Sequence, residues 1–377
     1  MDPTSLVGPS NPLGYPAPYW FLVSFKVLGF ALHAVPMNLW YAGVILFMLL
    51  YLRGGANGRR LVGRLMKQMP IIVAYGINLG IIPLLFTQVA YYKVFYPATI
   101  LMAWPWLSII GLLTIAYYGI YVYIAGLRGD RLRWFNLAAG WVSAVLFIVM
   151  GFIFANGFSL MVNLDDWPSL WRGSDMGGAP LGLALNTGDP SLWPRWLMMF
   201  GLALTTTAAY IVVDTAFFAG KESAEYRRWA TDLAFKVYTV GIVWFAVTGS
   251  WYAFGTWPSE ARAAMFGGPQ ALLTALTAVG PGLPWLLILA QRRRLTRRLA
   301  LFTGLAQFGV LALNAISRQV LQNVELSRFL DVTAEQVRMQ WSPLLVFLIL
   351  FVAGLSVTFW MISKVVEAER QAVGSAG

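Results

Sequence analysis

The chain contains no cysteine and a single histidine, His33. Without cysteine it can form no disulfide, thiolate zinc site or iron–sulfur cluster, and it cannot attach a c-type haem, which needs a C-x-x-C-H run. With one histidine it cannot supply both imidazoles of a bis-histidine haem. Any such centre belongs to a partner. Charge is scarce as well: Asp, Glu, Lys and Arg make up 11% of the chain, against about 25% in an ordinary soluble domain. Low-complexity tracts and short repeats are absent.

What fills the chain instead is apolar, with 59% of residues in the hydrophobic set. Runs of at least about 18 apolar residues recur, each long enough to cross a hydrocarbon core about 30 Å thick as a helix. The pattern predicts an all-α integral membrane protein in one polytopic domain. Nine helices are expected, at about Tyr19–Leu52, Met69–Phe95, Ala98–Ala125, Trp134–Val162, Leu192–Phe218, Arg228–Phe254, Gln270–Ala290, Arg297–Val320 and Ser342–Val366. Helices one to four (about 19–162) and five to eight (about 192–320) are expected as two four-helix bundles, with helix nine (about 342–366) peripheral.

The excess of 27 Lys+Arg over 16 Asp+Glu would raise the question of nucleic acid in a soluble protein. Here the bases fall in every second loop, as the positive-inside rule requires, and no nucleic-acid partner is implied. Arg53, Arg59, Arg60, Arg64 and Lys67 follow helix one; Arg128, Arg131 and Arg133 follow helix three; Lys221, Arg227 and Arg228 follow helix five; Arg292, Arg293, Arg294, Arg297 and Arg298 surround the seventh connection. The alternate loops have few bases or balance them with acids. The N-terminus is therefore expected outside and the C-terminus inside. The opening residues have no basic stretch and no apolar run before their prolines, so the first span, rather than a cleaved signal, is expected to direct insertion. The long outer connections are 163–191 and 321–341. The first, rich in Trp, Gly, Asp and Pro, reads as a folded cap, a docking surface or a plain loop.

Polar groups in hydrocarbon cost several kcal/mol unless partnered, so buried ones point to function. His33 lies about 14 residues into helix one, a depth of about 21 Å. Pro36 follows it and can kink the helix beside the ring. The imidazole reads either as a haem-iron ligand or as a donor to a neighbouring carbonyl. Asn38, Asn78, Gln88, Asn156, Gln307 and Asn314 read mainly as helix glue. Asp214 and Lys236, near the cytoplasmic ends of helices five and six, are placed to pair or to snorkel. Arg318, near the outer end of helix eight, suits an anion such as a haem propionate or is an ordinary interfacial arginine.

Taken in order, these features resemble subunit I of the cytochrome bd quinol oxidases, a nine-helix family with its N-terminus outside. His33 in LHAVPMNLWYAG matches the family's first-helix haem ligand. YGINLGIIPLLFTQ and WLSIIGLLTIAYYGIYVY are similar in layout to helices two and three. Ala155-Asn156-Gly157 resembles the family's Ala-Asn-Gly, and Ser317-Arg318-Gln319-Val320-Leu321 stands where it has Gly-Arg-Gln-Pro-Trp.

The departures are as informative. The region of the family's helix-five histidine, Pro194-Arg195-Trp196-Leu197-Met198-Met199, has none, and Met198 is the one weak substitute ligand. The acidic ligand three residues before the helix-eight arginine falls on Ala315, and the third-helix glutamates fall near Trp106 and Thr114. The quinol loop between helices six and seven shrinks to the stretch from Gly255 to Gly268. A three-haem oxygen reductase is thus not expected.

The resemblance implies a subunit of a respiratory or other electron-transfer complex in a bacterial-type inner membrane. It would bind one haem b through His33, with Arg318 at a propionate. Electrons would be exchanged with a quinone or an outer-face c-type cytochrome, alongside other membrane subunits and lipid. A cofactor-free anchor of the same fold is the rival expectation. A transporter or channel is the third, disfavoured by the few ionisable groups at mid-membrane.

Overall fold

The computed structural model describes residues 2–129 and 132–374. Arg131, counted above among the inner bases, lies outside the described residues. Within them the chain is an all-α integral membrane protein. Nine helices are long and apolar enough to cross a membrane: Tyr19–Arg53, Gly55–Ala90, Ala103–Arg128, Trp134–Val162, Leu192–Phe217, Ala224–Thr256, Gly268–Arg293, Arg297–Leu326 and Trp341–Lys364. They are called helices one to nine here. Helix nine buries nothing of its most apolar stretch in the rest of the chain. It touches helices one and two through Phe347 and Phe351, whose rings lie 5.1 and 5.3 Å from Phe25.

Helix one is not uniform. Its α-helical part ends at Asn38, a π-helical turn occupies Leu39–Gly43, and α-helix resumes at Val44. Pro36 lacks the N–H that would bond one turn back, and the ladder widens three residues later, as π-bulges do where regular bonding is interrupted. All five residues of the wide turn are buried. Where helices five and six cross, Gly201 and Gly241 let the backbones meet: a Cβ on Gly241 would lie 2.9 Å from the Gly201 carbonyl oxygen. Small residues at such crossings gain van der Waals contact that lipid cannot match.

Several boundaries differ from those expected. The inner bases after helix one are not in a loop: Gly55–Leu65 is an amphipathic helix that buries Leu61, Val62 and Leu65, exposes Arg59 and Arg60 and leaves Arg64 half-buried. Helix two stops at Ala90 because Tyr91, at φ −128°, leaves the helical region, and a short helix Tyr92–Leu101 follows. Helix eight runs on to Leu326, past the expected Val320, so Gln322 and Glu325 are helical rather than loop residues.

Of the neutral polar residues, Asn38 and Gln307 act as glue between helices. Asn38 donates to Thr206 at 2.9 Å, and Gln307 donates to Thr205 and Thr206 while accepting from Tyr238, joining helices one, five, six and eight. Asn78, by contrast, bonds back to its own helix at Ala74. Asp214 does not pair with Lys236. Its buried carboxylate meets Arg64 of the amphipathic helix at 3.1 Å, while Lys236 is exposed. The arginine was out of reach only as long as its segment was read as a loop.

The connection 163–191 is folded. It holds a short helix, Trp167–Gly173, and a hairpin pairing Asp175–Met176 with Ala179–Pro180. Its return strand is latched to helix four: Asn186 N–H donates to Asn156 at 2.7 Å, Asn186 donates to Ser159, and Ser159 bonds the buried Asp189 carboxylate. Asp189→Ala removes the acceptor shared by Ser159 and Ser191. Limited proteolysis of the purified protein should then cut within 174–191 at least about tenfold faster, a loss of roughly 1.5–3 kcal/mol of local protection, with the melting temperature of the bundle little changed. Equal cleavage rates would remove the latch.

Candidate functional site

A cavity of about 340 Å³ opens among helices one to six and eight, within the size range of small-molecule sites, about 300–1,000 Å³. Its walls are predominantly apolar. His33, Arg318 and Met198, from helices one, eight and five, all line it. The fold thus brings the three expected site residues to one space although 285 positions separate His33 from Arg318.

The imidazole is held on one side. Its Nδ1 lies 2.7 Å from the Gly76 carbonyl oxygen of helix two. A carbonyl can only accept, so Nδ1 carries the proton and Nε2 keeps its lone pair. Nε2 has no hydrogen-bond partner among the described residues. Gly80, one turn beyond Gly76, is what lets the ring lie flat against helix two: a Cβ there would stand 2.8 Å from His33 Cε1 and 2.9 Å from Nδ1. Trp40 meets the ring edge-on at 5.9 Å. The carbonyl partner expected for His33 is thus present, and the bond to it uses one of the two ring nitrogens.

At the outer end the lining is charged. Arg318 stacks its guanidinium 4.6 Å from the Phe30 ring and 5.7 Å from Phe158, and no carboxylate lies within bonding reach of it among the described residues. Lys26, buried, donates to the side-chain oxygens of Gln319 at 2.7 Å and Gln322 at 2.6 Å, over the Tyr91 ring. Arg195 pairs with Glu325 at 3.0 Å. Three basic side chains, Lys26, Arg195 and Arg318, thus share the cavity lining with one carboxylate, Glu325.

Lys26, Arg195 and Glu325 escaped the sequence reading. The signal for Lys26 was available: it stands seven residues before His33, two turns along the same face. Arg195 stands in the stretch Pro194 to Met199, whose mark is the missing histidine, and Glu325 lies beyond the expected end of helix eight at Val320.

The positions where the resemblance leads one to look for acids are empty of them. Ala315 lines the cavity. Thr114 is exposed and bonds its own helix at Ile110, and Trp106 packs between Phe95 and Phe154 at 5.7 and 5.4 Å. The residues fit a single haem better than several: one imidazole with a free nitrogen, apolar walls and a cationic end suit an iron porphyrin with two carboxylates.

Among solved structures, the bd oxidase of Geobacillus thermodenitrificans matches this chain with a TM-score of 0.64 at 12% identity, over 95% of this chain and 99% of that one. The likeness is one of fold. No family model and no curated protein matches the sequence.

The two kinds of ion pair at the outer face should behave differently. Glu325→Ala leaves the buried Arg195 uncompensated and should destabilise the detergent-solubilised protein by about 3 kcal/mol. Arg328→Ala, which breaks the exposed pair with Asp165, should cost under about 1 kcal/mol. Chemical denaturation of both variants reads the difference.

Proposed function

We propose that this chain is a membrane-embedded electron-transfer subunit of bd-like fold that holds one haem b in the cavity, with His33 as axial ligand. The observation that carries this reading is the imidazole anchored through Nδ1 to Gly76, which leaves Nε2 as a pre-oriented ligand on an apolar wall. Haem would supply a one-electron centre shielded from water. The Gly76 carbonyl holds the ligating tautomer, and Gly80 leaves room for the ring. Arg318 would answer a propionate, its guanidinium kept in place by Phe30 and Phe158.

Met37 also lines the cavity, from the same helix as His33. Met198, which lines it from helix five, would be the second residue to hold the iron. Electrons would pass between this site and a quinone or an outer-face c-type cytochrome, within a larger complex in a bacterial-type inner membrane. With no acidic ligand at Ala315, Trp106 or Thr114, the chain is not proposed as an oxygen reductase by itself.

A second reading is favoured by that same loss: a cofactor-free anchor that kept the scaffold and presents the ordered outer cap to partners. A reduced-minus-oxidised visible spectrum of the purified protein separates the two. The electron-transfer reading expects Soret and alpha bands that disappear in His33→Ala while the variant still elutes as a folded monomer or complex. Met198→Ala should convert a low-spin spectrum to high-spin. A stable, colourless wild type would overturn it and leave the anchor.

A further inference from the structure

The outer end of the cavity holds positive charge that the protein does not answer. Arg195 has Glu325 as its counterion. Lys26 and Arg318 have none among the described residues: the lysine meets two amide oxygens and a ring face, the arginine two ring faces. Amide oxygens and rings steady a cation but do not neutralise it. The side-chain amide nitrogen of Gln322, whose oxygen accepts from Lys26, is buried without a partner, as is Nε of Arg195. Two basic side chains without an acid partner and two unused N–H donors thus line one end of an otherwise apolar cavity. A buried basic group is costly to charge without a counterion, and a bound anion removes that cost.

We propose that Lys26 and Arg318 form an anion seat that selects amphipathic ligands carrying carboxylate or phosphate groups on an apolar body. The inference deepens the haem reading, in which the propionates take the seat, but it rests on residues other than His33. Lys26 lies seven residues before His33 on helix one, about 10 Å along the axis, so an apolar body between the two would reach both. The same chemistry is offered by a fatty acid or an acidic lipid drawn from the bilayer.

The test uses the full chain in detergent, titrated with metal-free protoporphyrin IX and with its dimethyl ester, with porphyrin fluorescence as the readout. Neither probe has iron for His33, so binding reports the seat alone. The diacid should bind the wild type at least about tenfold more tightly than the diester, the worth of one charge-assisted contact. Lys26→Met and Arg318→Met should each erode that preference, the double variant should abolish it, and Lys26→Arg should keep it. His33→Ala should leave it intact, which separates failure of the seat from failure of the axial ligand. Equal affinity of the wild type for diacid and diester would overturn the proposal. Mass spectrometry of solvent extracts identifies the source of the natural anion, as haem or as an acidic lipid, by what the wild type retains and the double variant loses. Extracts that do not differ would also overturn it.

Discussion

The proton on Nδ1 of His33 has an acceptor on the next helix, and the site is organised around that single bond. Hydrocarbon offers nothing to an imidazole, so the ring is tolerable only if the protein satisfies it. The Gly76 carbonyl does so at 2.7 Å, and it can because a helical carbonyl has a second lone pair beyond its own ladder bond. Satisfying one nitrogen decides the tautomer, leaves the other nitrogen free and lays the ring on the cavity wall. Glycine at positions 76 and 80 is what permits this approach: a Cβ at either would meet Trp40 or His33.

The rest of the buried polar chemistry divides by how completely it is answered. The neutral groups close on one another, as in the cluster of Asn38, Thr205, Thr206, Gln307 and Tyr238. Two ion pairs are matched, Arg64 with Asp214 at the inner end and Arg195 with Glu325 at the outer. Against this background the unmatched Lys26 and Arg318 stand out, and both line the cavity that His33 also lines. Uneven compensation in an otherwise closed network is a stronger pointer to a ligand than cavity size, because each unmatched charge costs free energy that packing does not return.

Much of the fold was legible because it depends on local composition. Apolar runs long enough for the bilayer placed the nine helices, and the alternation of arginine-rich loops set their orientation. The errors fell where local composition is ambiguous. Gly55–Leu65 carries enough arginine to look like a loop, yet its leucines recur at helical spacing and pack inward. The end of helix eight carries Gln322, Asn323 and Glu325, which look like solvent-facing residues until the cavity shows what they serve.

By itself the sequence determined the solvent of this protein, its number of spans, the single residue that offers an imidazole and the centres it cannot build, because these follow from residue types and run lengths. Only the tertiary structure decided that His33, Met198 and Arg318 share one cavity, that Asp214 belongs to Arg64 rather than Lys236, and that Lys26 joins Arg318 without a counterion. The reason is physical: in hydrocarbon the choice of polar partner is made across helices, by packing between segments tens to hundreds of residues apart, and no local pattern records it.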